Sequence, residues 1–145
     1  MTMPADPVAL ARLAAEAITV DECEHAVESP THGAVVTFAG VVRDHDEGRG
    51  VVRLSYEAHP DAPAALHASA RRIAERWPDV RIAAVHRVGE LVVGDLALAC
   101  AVASAHRAAA FAACAALVDD IKASVPIWKE QSFVDGSSEW VASVG

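Results

Sequence analysis

Apolar and polar positions change their period several times along the chain, and each change marks an element. Gly33–Arg43 (GAVVTFAGVVR) is β-branched and apolar, and Val51–His59 (VVRLSYEAH) alternates over most of its length. Asp46-Glu47-Gly48-Arg49-Gly50 lies between them and predicts a hairpin loop joining the two. Pro60–Trp77 switches to helical spacing, with Ala65, Leu66, Ser69, Ile73 and Ala74 on one face and Pro78 as the stop. Val80–Val88 and Leu91–Ala105 are β-like segments interrupted by Gly89 and Gly94-Asp95. A second long helix is expected from near Ala105 to about Ala123, with Phe111, Ala115, Val118 and Ile121 on one face. After Pro126, Ile127–Phe133 and Glu139–Val141 predict a terminal hairpin around Asp135-Gly136.

The N-terminal stretch is less decided. Asp6-Pro7 fits a helix N-cap followed by proline in the first turn, but Ala-rich Asp6–Ile18 fits an edge strand equally well. Thr19 and Glu22 have capping-box spacing and open a short helix through Val27. The order is then roughly helix, β, β, helix, β, β, helix, β, β. An antiparallel sheet with helices packed on one face satisfies it, an α+β fold with a small C-terminal hairpin.

At 145 residues the chain is expected to be one domain, 1–145, large enough to need no disulfide or metal staple. Twenty acidic against twelve basic residues give a net charge of −8. That is the wrong sign for a protein whose main partner is nucleic acid or an anionic membrane surface. No apolar run approaches the ~20 residues that span a bilayer. Met1–Asp6 lacks a basic-then-apolar leader, so the expected compartment is the cytoplasm. Cys23, Cys100 and Cys114 contain no CxxC, which suits a reducing compartment.

Familiar catalytic motifs are missing. There is no GxSxG, P-loop or GxGxxG, and Ser104 stands too close to His106 to make a triad with it. Cys100 and Cys114 fall in apolar runs and read as inert core residues. The seven histidines form no HxH or HxxxH pair, so no metal is expected. Cations are more informative. Ten of the twelve basic residues are arginine, and the two lysines, Lys122 and Lys129, stand seven positions apart. Chance and surface solvation explain this, or else an amine is needed there.

His106 and Arg107 open the second long helix, where the dipole disfavours cations by a few tenths to ~1 kcal/mol. Either an anion such as phosphate is held there, or Arg107 turns back to an acidic neighbour. In Pro126-Ile127-Trp128-Lys129, alternation puts Ile127 and Lys129 on one face and Trp128 on the other. That amine lies either at a sheet edge or in a pocket. Arg43 ends an apolar strand, and His86-Arg87-Val88-Gly89-Glu90 reads as a structural turn with Glu90 or a carbonyl pairing Arg87. Glu57 reads as a buried acid holding an arginine.

Five stretches in register resemble the MoaE-type family, the large, catalytic subunits of molybdopterin synthase. They are Phe38–Asp44 (FAGVVRD), Leu54–Glu57 (LSYE), His86–Leu91 (HRVGEL), Ser104–Arg107 (SAHR) with Ala110-Phe111, and Ile121-Lys122 followed by Pro126–Lys129 (PIWK). Together they span residues 33–141, while residues 1–32 match poorly. Two departures concern the pocket's outer rim. Glu130 and Gln131 follow the Trp-Lys pair where the family often has a second basic residue, and no arginine follows Trp140.

The resemblance implies a hammerhead-like α+β fold that forms a homodimer, and a heterotetramer with a small ubiquitin-like sulfur carrier. The carrier would thread its C-terminal Gly-Gly thiocarboxylate into the pocket. Two sulfur transfers to cyclic pyranopterin monophosphate would then build the dithiolene of molybdopterin, with no cofactor. Substrate-binding positions fall on Val41, Val42, Arg43, His106, Arg107, Lys122, Lys129, Glu130 and Gln131, and the catalytic ones on Lys122 and Lys129. Arg43, His106 and Arg107 suit the phosphate, Lys122 a general acid or base, and Lys129 the substrate or thiocarboxylate. Two other readings are a non-catalytic paralogue that binds the carrier or a phosphate-bearing ligand, and an unrelated phosphate-ester enzyme. The second lacks an obvious water-activating acid or metal.

Overall fold

The computed structural model describes residues 6–46 and 48–142. Residues 1–5, which carry most of the leader reading, Glu47 in the predicted hairpin loop, and residues 143–145 lie outside them. Twelve elements follow one another among the described residues: β1 (Val8–Ala14), α1 (Val20–Ala26), β2 (Ala34–Val41), β3 (His45–Asp46), β4 (Arg49–Ala58) and α2 (Ala62–Arg76), then β5 (Arg81–Arg87), β6 (Gly89–Val92), β7 (Leu96–Ser104), α3 (Arg107–Ser124), β8 (Ile127–Phe133) and β9 (Ser138–Ala142). One sheet has the order β1-β5-β7-β2. The second has the order β3-β4-β8-β9, with β6 also on β4.

The α+β expectation holds, with two differences in detail. The Ala-rich N-terminal text is a strand, β1, and it pairs parallel to β5, so the first sheet is mixed. Helices also cover both faces of that sheet rather than one. Ile82, Ala84, Cys100 and Val102 pack with Leu66 and Ile73 of α2 and Leu117 and Ile121 of α3. Ala83, Val85, Ala99, Ala101 and Ala103 pack with Cys23 and Val27 on the α1 side. The cause is visible in the text of β5 and β7: RIAAVHR and LALACAVAS are continuous apolar runs, the signature of strands buried on both sides.

Another expectation fails at β2. It pairs with β7 of the first sheet, Phe38 opposite Cys100, and not with β4. β4 instead pairs antiparallel with the two-residue β3, Asp46 opposite Arg49. Between Val41 and His45 the chain leaves one sheet for the other. Val42 is fixed at this crossing by two backbone bonds, to the carbonyl of Asp95 at 2.9 Å and from the Gly94 N–H at 3.0 Å.

Local signals placed the remaining elements. The Thr19 hydroxyl accepts from the Glu22 N–H at 3.1 Å and caps α1, as its spacing predicts. On α3 the predicted face is rotated. Ala110, Ala113, Cys114, Leu117 and Ile121 are buried, whereas Phe111 is 62% exposed and Ala115 is also exposed. Ala110, Ala113 and Cys114 are the small residues of the face that α3 turns to the sheet, with Leu117 and Ile121 below them.

One clasp joins the two long helices. Asp120 on α3 accepts from Ser69 Oγ on α2 at 2.6 Å, from Arg72 Nε at 3.2 Å and from Ser124 Oγ at 3.0 Å. The Arg72 hydrogen bond outweighs desolvation, and with the two serines it lowers the Asp120 carboxyl from 3.8 to about 2. Arg72 is half-exposed, so solvent screening leaves the clasp worth about 1 kcal/mol. Because the folded-state value lies below the unfolded one, this stability is present above about pH 4 and is lost as pH falls towards 2. In urea unfolding, Asp120→Asn should therefore be less stable than the unmodified chain at pH 7 and converge with it near pH 2. A gap that persists unchanged in acid would locate the effect in packing rather than charge.

Candidate active site

Where β2 leaves the first sheet, the two sheets and the end of α3 enclose a cavity of about 300 Å³. Its wall is apolar at Phe38, Leu54, Leu98, Ile121, Val125 and Ile127. Its polar groups come from six elements or their ends: Arg43 beyond β2, His45 on β3, Tyr56 on β4, His86 on β5, Lys122 on α3, and Lys129 and Gln131 on β8. Alternation on β8 does what the sequence implies. Ile127 and Gln131 are buried, Lys129 is half-buried, and Trp128 is 43% exposed on the other face. The Lys129 amine is thus in a pocket, not at a free edge.

Its environment is electrostatically mixed. Burial pushes the Lys129 ammonium below its ordinary value. Asp46 opposes the shift, Lys122 and Arg43 add to it, and Glu139 opposes it in turn. A half-buried amine beside two other cations is a strong site for an anion, since each gains on pairing.

Among the residues expected at the site, the cavity brings together Val41, Val42, Arg43, Lys122, Lys129 and Gln131. Glu130 is not among its lining residues. It sits opposite Ser55 and Trp140 on the sheet's outer face. His106 and Arg107 also lie elsewhere. His106 is the N-cap residue of α3 and Arg107 its first residue, in a separate shallow depression with Gly33, Ala34, Ala105 and Ala108. Fifteen helical steps separate Arg107 from Lys122, a rise of about 22 Å.

Asp79 organises that far end. One of its oxygens, Oδ2, accepts from Ser104 Oγ and from the Ala105 N–H, both at 2.8 Å, and the Ser104 hydroxyl accepts from the His106 N–H at 3.1 Å. The Ala105 N–H and Ser104 hydroxyl hold the Asp79 carboxyl below its usual range. A carboxylate is therefore already present near this helix start, yet Arg107 is exposed and forms no ion pair among the described residues. The turned-back Arg107 reading fails on that point.

His86, read from sequence as part of a structural turn, also lines the cavity. It is 5% exposed, its Nδ1 bonds the Arg87 carbonyl at 2.7 Å, and its ring meets Tyr56 edge-on at 5.0 Å between centroids. A carbonyl can only accept, so Nδ1 carries the proton, and Nε2 is the acceptor whenever the ring is neutral. Burial pushes its pKa down, and Lys122 adds to that. Alternation could have exposed it, because His86 shares a face with the buried Ile82 and Ala84. Arg87 does have a structural partner, but it is Asp95 at 3.3 Å rather than Glu90. Glu57 is exposed, not a buried acid.

All three cysteines are free and buried, and none lines the cavity. Burial raises each thiol, Cys23 to about 11. No cluster of three or more metal-ligating side chains occurs among the described residues. What the cavity offers is anion binding, hydrogen bonding and proton transfer.

Residues 13–124 match the model of the MoaE protein family. The chain belongs to the MoaE family. Similar members include the molybdopterin synthase catalytic subunit 1 of Mycobacterium tuberculosis, 40% identical over 131 residues that cover 90% of this chain and 88% of that one. The human molybdopterin synthase catalytic subunit is 40% identical over 127 residues, covering 87% and 67%. The crystal structure of molybdopterin synthase from Staphylococcus aureus superposes with a TM-score of 0.85 at 35% identity, covering 90% of this chain and 96% of that one. The MoaE-family match takes in β2, Arg43, His86 and Lys122, and it stops just before β8 with Lys129. No helix among the described residues is long and apolar enough to cross a membrane.

Proposed function

We propose that this chain is a molybdopterin synthase catalytic subunit, a sulfurtransferase that converts cyclic pyranopterin monophosphate to molybdopterin. The convergence of Arg43, Lys122 and Lys129 on one part-apolar cavity carries the reading. Among the described residues, the cavity wall holds no cysteine, serine or carboxylate. A substrate that arrives with its own nucleophile suits such a site, and the thiocarboxylate of a small sulfur-carrier subunit is one. Its sulfur attacks a side-chain carbon of the pterin and displaces an oxygen substituent, which takes up a proton as it leaves; water then hydrolyses the resulting thioester, leaving a thiol on the substrate and a carboxylate on the carrier.

Arg43 and Lys129 hold the phosphate and thiocarboxylate anions, Lys122 supplies or takes the proton at the attacked carbon, and Val41, Val42 and Gln131 shape the entrance. His106 and Arg107 act in the cavity of a second copy. Their distance along α3 from Lys122 excludes a shared site within one chain and supports a homodimer, each subunit of which binds one carrier. Three free cysteines support a cytoplasmic setting.

The test is reconstitution from purified chain, thiocarboxylated carrier and cyclic pyranopterin monophosphate, with dithiolene product as the readout. Product is the expected result. Carrier binding without product would move the chain to the non-catalytic paralogue reading.

A further inference from the structure

Asp46 does not line the cavity, yet it touches two groups that do. Its Oδ1 accepts from Arg43 Nη2 at 3.3 Å, and its Oδ2 accepts from Gln131 Nε2 at 2.9 Å. The two partners arrive from different elements, Arg43 from the end of β2 and Gln131 from the middle of β8. Gln131 is only 3% exposed, so its amide needs a partner and Asp46 supplies one. Arg43 is two-thirds exposed and would otherwise sweep a wide volume.

We propose that Asp46 is the positioning residue of the cavity mouth, tying Arg43 to Gln131 and so placing a negative charge on the side of the cavity that Gln131 and Lys129 share. The proposal deepens the synthase reading by assigning a residue that its motif-based site omits. β3 has only two residues, and this single side chain bridges the segment that follows β2 to β8 of the second sheet.

The charges facing Lys129 are few. Asp46 and Glu139 favour its charged form, while Lys122, Arg43 and burial oppose it. Glu139 is shared with Arg49, which lies 3.5 Å from it. Asp46 is therefore the main charge that opposes the downward shift of Lys129. Removing its charge without changing its shape should let Lys129 release its proton at lower pH and let Arg43 drift.

The chain contains only two lysines, so protein labelled with 13C at lysine Cε gives two titrating signals, assigned with Lys122→Arg. In Asp46→Asn the Lys129 midpoint should fall by about one pH unit, with a smaller change at Lys122. Gln131→Met cuts the tether without altering a charge and should move the same midpoint in the same direction by less. An unmoved Lys129 midpoint in both variants would overturn the proposal, and this readout needs no turnover. With active enzyme, Asp46→Asn should raise KM for the pterin several-fold on the alkaline side and leave kcat nearly unchanged. A loss of kcat at unchanged KM would also overturn it. If the unmodified chain makes no product, the synthase reading fails while the titration still decides the role of Asp46.

Discussion

Lys122→Ala should abolish dithiolene formation, lowering turnover by about 10²–10⁴-fold, the range expected for a lost general acid or base. The fold should survive. Lys122 sits in the last turn of α3, where a cation gains only a few tenths to ~1 kcal/mol from the helix dipole. A domain of this size has roughly 5–15 kcal/mol in hand, so an unfolded mutant is not the expected cause of inactivity. A second substitution separates charge from proton transfer. Lys122→Arg keeps the positive charge but cannot release a proton near neutral pH. If the lysine moves a proton, Lys122→Arg should be nearly as inactive as Lys122→Ala. If it only stabilises an anion, most activity should return. Single-turnover product formation, with folding checked by circular dichroism, reads both outcomes.

Much of this site is legible from local text. The Pro126–Lys129 stretch alternates as a strand does, and the lysine it turns inward is found in the cavity. Lys122 follows from the helical register of α3, even though the buried face of that helix is rotated from the one its apolar spacing predicts. The error at Phe111 has a physical origin: on an Ala-rich helix, apolar residues surround the axis and the largest one looks like the anchor. The buried face instead runs through Ala110, Ala113, Cys114, Leu117 and Ile121, one residue round the helix from Phe111.

Strand pairing was the larger gap. The glycines after Asp46 are a local signal, and Asp46 does lie opposite Arg49, but whether the strand before them continues into the same sheet depends on β7, some fifty residues later. Burial on both faces of β5 and β7 was written in their unbroken apolar runs. Asp46 had no such signature. Its role depends on Gln131 lying 85 positions away in sequence and 2.9 Å away in space. The same holds for His86, whose face is local but whose neighbour Lys122 is not.

Arg107→Ala and Lys122→Ala should each be inactive alone yet regain activity when the two variants are combined. The reason is geometric. Arg107 begins α3 and Lys122 ends it, about 22 Å apart along one helix, so a single cavity can use both only if they come from different chains. In a mixed dimer, the Arg107→Ala subunit still has Lys122 in its own cavity and receives an intact Arg107 from its companion. The other cavity has lost both. Random assortment makes about half of the dimers mixed, and each carries one working site of two, so co-refolded protein should recover about a quarter of full activity in a closed twofold assembly. The variants refolded separately and then mixed without exchange should stay inactive. Two results would sink the idea: no recovery on co-refolding, which would confine each site to one chain, or full activity of Arg107→Ala by itself. The second would return His106 and Arg107 to the role of an exposed helix start held in place by Asp79 and Ser104.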